Sequence, residues 1–271
     1  MTPATLLDQP RALGTARVES KGRAGRSCIA DLHMAGALKL LFPRSSGPLH
    51  VVAINSAGGI TGGDRFDLTA EAGAESTLVL TTQAAERAYR AQPGQTGKVT
   101  TRLSVRAGAS LRWLPQETIL YECAALSRRL EVDLELDARF LMVEPVIFGR
   151  TAMGEEARGL RFRDRIRIHR AGQPIYADGV DLMGDVPAQL DRPAVGDGAR
   201  AMANLVCVAP EAEAHLGTVR QMAGPLAGAS LLGPDILVMR MLARDGFDLR
   251  RHLVPILEYL TDNDLPASWR L

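Results

Sequence analysis

The sequence is poor in the features that usually announce chemistry. Its three cysteines, Cys28, Cys123 and Cys207, form an odd set with no short paired spacing, which argues against a disulfide framework and a structural zinc knuckle and points to reduced thiols. Five histidines, His33, His50, His169, His215 and His252, lie far apart, without a His-x-x-x-His or His-Glu-x-x-His spacing. An imidazole metal motif is therefore missing, and no tight metal site is expected. Neither Ser56 nor Cys123 has a neighbouring signature that would make it a nucleophile. A net charge of +1 supplies no field to draw nucleic acid or an anionic membrane. No stretch reaches the roughly eighteen apolar residues of a membrane span, and the opening residues lack a basic region followed by a long apolar run. The expectation is a cytoplasmic protein that is not an enzyme, holds no tight cofactor, and works on a protein or small-species partner.

What the chain does have is alternation and turn chemistry. At 271 residues, with 46% hydrophobic and 23% charged residues, it falls in the ordinary soluble range, and an all-β unit of this size is common. Apolar or alternating runs at 28–33, 38–42, 49–54, 66–71, 76–81 and 99–105 read as strands, separated by Pro43, Ser45-Ser46-Gly47-Pro48, Gly73, Pro93-Gly94 and Gly108. Ala16 and Val18 against Arg17 and Glu19 suggest one more, and 201–209 reads as a buried strand. Residues 187–199 read as a proline- and glycine-rich connection. After Pro210 helical patterns are expected: one opening at Glu211, Glu213, His215 and Leu216, a second started by Gly233-Pro234-Asp235 with Leu237, Met241 and Leu242 on a stripe, and a third over 249–260 that Pro255 should kink or break. The expectation is a single domain over 1–271, mainly β, with a strand-rich 1–209 and a helix-containing 210–271.

Two strands carry opposed charge. Leu130, Val132, Leu134 and Leu136 alternate with Glu131, Asp133, Glu135 and Asp137, whereas Arg161, Arg163, Arg165 and Arg167 alternate with Phe162, Asp164, Ile166 and Ile168. Like charges on one face repel unless offset, so the two rows should lie near each other. Ala171-Gly172-Gln173-Pro174 should turn the second strand into a hairpin over 161–180.

The chain is organised around Asn55-Ser56-Ala57-Gly58-Gly59-Ile60-Thr61-Gly62-Gly63-Asp64, between two strands. Two Gly-Gly pairs specify a tightly folded connection that another group approaches closely. A phosphate or nucleotide cradle over Gly58 to Gly63 is one reading, but the loop lacks Gly-Lys-Ser/Thr and no helix follows it. A structural corner between strands is the other.

Gly-Gly-Ile-Thr-Gly-Gly-Asp, followed by Thr81-Thr82-Gln83-Ala84-Ala85 and Tyr89-Arg90, resembles the UreD/UreH family of urease accessory proteins. Further matches come in the family's order: Leu114-Pro115-Gln116-Glu117-Thr118-Ile119, Glu144 to Arg150 with Gly154-Glu155, and Leu265-Pro266 with Trp269. Ala267 stands where the family usually has a basic residue, and Thr61 where it is commonly apolar. The resemblance implies a solenoid-like stack of strands with a few helices. It also implies a non-catalytic maturation factor that binds apo-urease and a helical accessory protein F. Through F it recruits the nickel-carrying GTPase G, and nickel in transit passes through it to the enzyme. Asp64, Glu144 and Glu155 lie in the matching segments. Each carboxylate has two readings, a loose oxygen ligand for a cation in transit or a structural group: a turn cap for Asp64, a salt bridge for Glu144 and Glu155 with Arg150 as the obvious partner.

Overall fold

The computed structural model describes residues 10–150 and 153–270; the first nine residues of the mixed opening stretch lie outside the described residues. The strands are β1 (Leu13–Arg23), β2 (Arg26–Gly36), β3 (Leu38–Leu41), β4 (Leu49–Asn55), β5 (Arg65–Ala72), β6 (Thr77–Thr82), β7 (Glu86–Ala88), β8 (Gly97–Val105) and β9 (Ser110–Leu114). They continue as β10 (Thr118–Leu120), β11 (Ala125–Leu134), β12 (Arg139–Phe148), β13 (Leu160–Arg170), β14 (Gln173–Gly184), β15 (Ala201–Val208), β16 (Ala227–Leu231) and β17 (Ile236–Ala243). Among the described residues the helices are α1 (Val186–Leu190), α2 (Ala212–Met222) and α3 (Gly246–Leu260), with a 3-10 turn at Ala267–Trp269. No helix among the described residues is long and apolar enough to cross a membrane.

From β4 to β13 the main strands alternate between two sheets. One sheet has the order β14-β13-β11-β8-β5-β1-β2, and the other runs β16-β17-β15-β12-β9-β6-β4-β3. Neighbours β5, β8, β11 and β13 are parallel, as are β4, β6, β9 and β12. Each coil therefore adds one strand to each sheet, which is the stacked, solenoid-like architecture expected. Alternation fixes what lies between the sheets: Leu68, Leu103, Leu130 and Ile166 from one meet Leu80, Leu111, Met142 and Val206 from the other, all buried. The outer face of the second sheet is covered in turn. Val143, Leu205, Met239 and Leu253 of α3 form a second core with Trp269.

Three expectations need correction. The stretch opened by Gly233-Pro234-Asp235 is not a helix but strand β17, antiparallel to β15 and β16. Leu237, Met239, Met241 and Ala243 make a buried face, and the other face, half-buried around the exposed Arg240, is apolar as well, so a helical stripe can be picked out of a strand. The connection after 186 holds the short helix α1, capped by the Asp185 carboxylate accepting from the Ala188 N–H. Pro255 does not break α3, a helix of 15 residues. It lies on the exposed side, where water can satisfy the Arg251 carbonyl that loses its donor.

The charged rows are adjacent, as expected: in register Glu131 faces Arg167, and Asp133 faces His169. Their ion pairs reach other partners. Glu131 meets Arg102 and Arg129, while Arg163 and Arg165 both meet Asp181 of β14. Ala171 and Gly172, with φ of 47° and 76°, make the tight turn between β13 and β14.

Candidate functional site

Segments distant in sequence converge at one end of the sandwich, around a cavity of about 300 Å³. The glycine loop contributes Asn55, Gly58 and Ile60; the stretch after β6 contributes residues 82–87; Pro115, Gln116 and Thr118 form a third wall; Glu144 closes the inner end with Trp113 and Arg128. Four of the family-like segments named from the sequence, at 58–64, 81–85, 114–119 and 144–150, thus have residues here, whereas Tyr89-Arg90, Gly154-Glu155 and Leu265-Pro266 with Trp269 do not.

The loop is built into the wall by its own hydrogen bonds. The Ile60 N–H donates to the Arg87 carbonyl at 2.7 Å, and the Ile60 carbonyl accepts the Tyr89 N–H in return, also at 2.7 Å. Gly59 is required for this approach, since a Cβ there would lie 2.3 Å from the Tyr89 ring and 2.8 Å from the Arg87 carbonyl oxygen. The Gly58 N–H donates to the Asn55 carbonyl and the Asp64 N–H to that of Thr61, while the Thr61 N–H goes to Asp64 Oδ2. These four N–H groups are committed to the fold, which favours the structural corner over a phosphate cradle. Asn55 fastens the loop to β7: its Nδ2 donates to the Gly59 carbonyl at 2.9 Å and to Glu86 Oε2 at 3.2 Å.

The three candidate carboxylates occupy three different environments. Asp64 is buried and serves as a turn cap, with Oδ1 accepting the Ala12 N–H and Oδ2 that of Thr61, each at 2.8 Å. Glu155 lies outside the cavity, where it accepts the Glu122 N–H at 2.7 Å and pairs with Arg150. Burial opposes its charge, but these donors hold its carboxyl below the usual range. Glu144 alone of the three lines the cavity. Its Oε1 accepts the Trp113 indole N–H at 3.1 Å, and its Oε2 lies 3.3 Å from Arg128 without a hydrogen-bond partner. Its cationic partner is therefore Arg128 rather than Arg150, because the strand periodicity turns Glu144 between the sheets and Arg150 lies beyond the strand end. Burial pushes the Glu144 carboxyl up to about 7, with Arg128 opposing and Asp164 reinforcing.

Several residues around this site were not singled out in the sequence. Arg128 of β11 donates through Nε and Nη2 to the two oxygens of Asp164 on β13, at 3.1 and 2.5 Å. Burial works against the guanidinium charge, but Asp164 and Glu144 outweigh it and raise its pKa. The signal was present in the strand pattern, since Arg128 and Asp164 both fall on apolar faces, beside Leu126 and Leu130 in one strand and Phe162 and Ile166 in the other. Glu86 lines the outer part of the cavity, its carboxyl raised by burial despite the Asn55 and Arg87 N–H groups. Gln116 is held by Arg250 of α3, which donates to Gln116 Oε1 at 2.9 Å, to Glu117 Oε1 at 2.8 Å and to the Trp269 carbonyl at 2.8 Å. This arrangement leaves Gln116 Nε2 buried and unpartnered. Among the described residues no group of three or more His, Cys, Asp or Glu is placed to hold a metal ion.

The architecture and site define a β-solenoid protein with an ion-paired interior cavity. The model of the UreD urease accessory protein family matches residues 12–270. The chain is 59% identical over 271 residues to urease accessory protein UreD of Roseobacter denitrificans, covering 100% of this chain and 99% of that protein. It is 55% identical over 271 residues to UreD of a Ruegeria species, covering 97% and 91%, and 45% identical over 271 residues to UreD of Rhizobium etli, covering 99% and 98%. The chain belongs to the UreD family of urease accessory proteins and is not an enzyme.

Proposed function

We propose that this protein serves urease maturation as a scaffold: it binds apo-urease and the helical accessory protein F, and through F the nickel-carrying GTPase G. In this reading nickel is cargo and crosses the interior cavity past Glu144. One observation carries the transit role. Glu144, whose Oε2 lies 3.3 Å from Arg128 without a hydrogen-bond partner, lines a cavity shared with the glycine loop, residues 82–87 and the Pro115-Gln116 wall. Carboxylate oxygens bind a divalent cation weakly compared with imidazole or thiolate, which suits release better than storage. Of the other two carboxylates, Asp64 fixes the loop at the cavity mouth and Glu155 orders the neighbouring surface. The work is assigned to the cytoplasm, in keeping with three free cysteines.

The test is to co-purify the protein with F and apo-urease, add G, nickel and GTP, and measure urease nickel. Complex formation with loading that depends on this chain is the expected result, with Glu144→Ala losing most of the loading while Glu155→Ala keeps it. Binding to neither partner, or full loading in its absence, would sink the proposal.

A further inference from the structure

Among the described residues the two sheets end on β2, β14, β3 and β16, and three of these edges are guarded. β3 has four residues and presents Lys39, β16 has five and packs on α2, and β14 carries Pro174 with Asp178 and Asp181. β2 runs for 11 residues, and from Ser27 to Gly36 it has no proline, lysine or arginine. Its acidic residue, Asp31, is paired with Arg17 at 3.3 Å. The ladder shows which backbone groups are free. The Ala37 N–H donates to the Leu13 carbonyl, and antiparallel pairs alternate, so Ala35, His33 and Asp31 exchange bonds with β1 while Leu32 and Met34 turn their N–H and C=O groups away from it. The side chains of Leu32 and Met34 lie on the core side, opposite the buried Val18 and Ala16. They are nevertheless 38% and 37% exposed, because no strand follows β2 in its sheet. This regular stretch is bounded at both ends: Ala30 is an extra residue in the ladder, and Gly36 has φ of 64°. His33 is the midpoint of what remains, Asp31 to Ala35.

We propose that β2 is the seam of a homodimer, pairing antiparallel with β2 of a second copy of this chain across a two-fold axis at His33. In that register Leu32 stands opposite Met34 of the second copy, and Met34 opposite its Leu32. Each of these pairs exchanges two backbone hydrogen bonds, so the free N–H and C=O groups of both residues are satisfied. On the core side the same pairs close one apolar side chain against another, which extends the interior of each sandwich across the axis. Asp31 falls opposite Ala35, so no like charges are set against each other. Self-complementarity selects a second copy as the occupant. A two-fold contact requires one stretch to answer itself, and this one does so in its hydrogen bonds, its apolar pair and its charge. The first sheets of the two copies then form one continuous sheet, and neither keeps β2 as an open edge. The inference goes beyond the scaffold reading and does not depend on it.

The test is the mass of the full-length chain by sedimentation velocity over a range of concentrations, where a dimer is expected. Leu32→Lys, which sets an ammonium group against Met34 of the second copy, should weaken the dimer about tenfold or more. Met34→Pro, which removes an N–H that β1 does not use, should weaken it as well. If these variants fold poorly, cross-linking decides. In a chain carrying Cys28→Ser and Cys123→Ser, His33→Cys should give a disulfide-linked dimer under a mild thiol oxidant, because directly opposed residues without mutual hydrogen bonds hold their Cα atoms about 4.5 Å apart, within reach of a disulfide. Lys39→Cys on β3, in the same background, should stay uncross-linked. A chain that sediments as a monomer throughout overturns the proposal, as does a dimer that Leu32→Lys leaves intact and that residue 33 does not cross-link. A monomer whose Leu32→Lys variant no longer co-purifies with F or apo-urease also overturns it, and assigns the edge to a strand of that partner.

Discussion

Arg128 and Asp164, on neighbouring parallel strands, form a two-pronged ion pair in the space between the sheets, with both side chains 9% exposed. Each strand would otherwise present an unbroken apolar face to the core. The pair holds Glu144 at the inner end of the cavity and sets its surroundings, and it carries the first prediction. Arg128→Leu leaves two carboxylates buried without their cation and should cost about 3–5 kcal/mol of stability. Replacing Arg128 and Asp164 together by leucine should cost clearly less than Arg128→Leu alone. Urea unfolding of the three proteins measures both; equal losses would show that the buried charge is not what matters.

Glu144 should make stability depend on pH. Its carboxyl is raised by burial to about 7 in the folded state, from the usual 4.5. A raised folded pKa means that the native state binds the proton more tightly, so the contribution is fully present below the unfolded value and is lost as pH rises through about 7. Glu144→Gln should therefore gain on the wild type between about pH 4.5 and 7. Denaturant midpoints across that range decide the matter, and a difference that stays flat would mean that Glu144 is ionised throughout.

The glycine loop offers a contrast between neighbouring positions. At Gly58, φ is 79° with open space around an added Cβ, so Gly58→Ala should cost only the conformational strain of about 1 kcal/mol. At Gly59 the added Cβ would strike Tyr89 and the Arg87 carbonyl, and Gly59→Ala should cost about 1–3 kcal/mol more. Thermal unfolding separates the two, and similar melting temperatures would show that the loop can move off β7.

Arg250 joins α3, the Gln116-Glu117 wall and the C-terminal turn through three hydrogen bonds, with its guanidinium 5.0 Å above the Trp269 ring. Lysine lacks the planar fork needed to serve all of these at once. Arg250→Lys should lower stability by about 2 kcal/mol, close to the loss in Arg250→Ala. Full rescue by lysine, measured by chemical denaturation, would reduce the clasp to a point charge.

Periodicity and turn chemistry were enough to locate most of the strands. Alternating residues gave β5 and β8 to within two residues at either end, and the two charged rows correctly indicated adjacent strands. Where nearly every residue is apolar the sequence shows no period of two, and so β17, apolar at every position but Arg240, resembled a helix. The glycine loop was legible as a close approach, but the group approaching it, residues 87 and 89 of the chain itself, was not. Arg150 seemed the natural partner of Glu144 because it is near in sequence, yet the two lie on different sides of the strand end.

The sequence by itself determined the family, the strand-rich class and the loop that must turn tightly, because these follow from residue order, local sterics and the two-residue period of a strand. Only the tertiary structure decided which carboxylate faces the cavity, which cation answers it and which groups stay unpartnered. Those facts depend on register between strands, such as Arg128 beside Asp164 and Glu144 opposite Asn204, and register is set by how whole coils stack rather than by any segment alone.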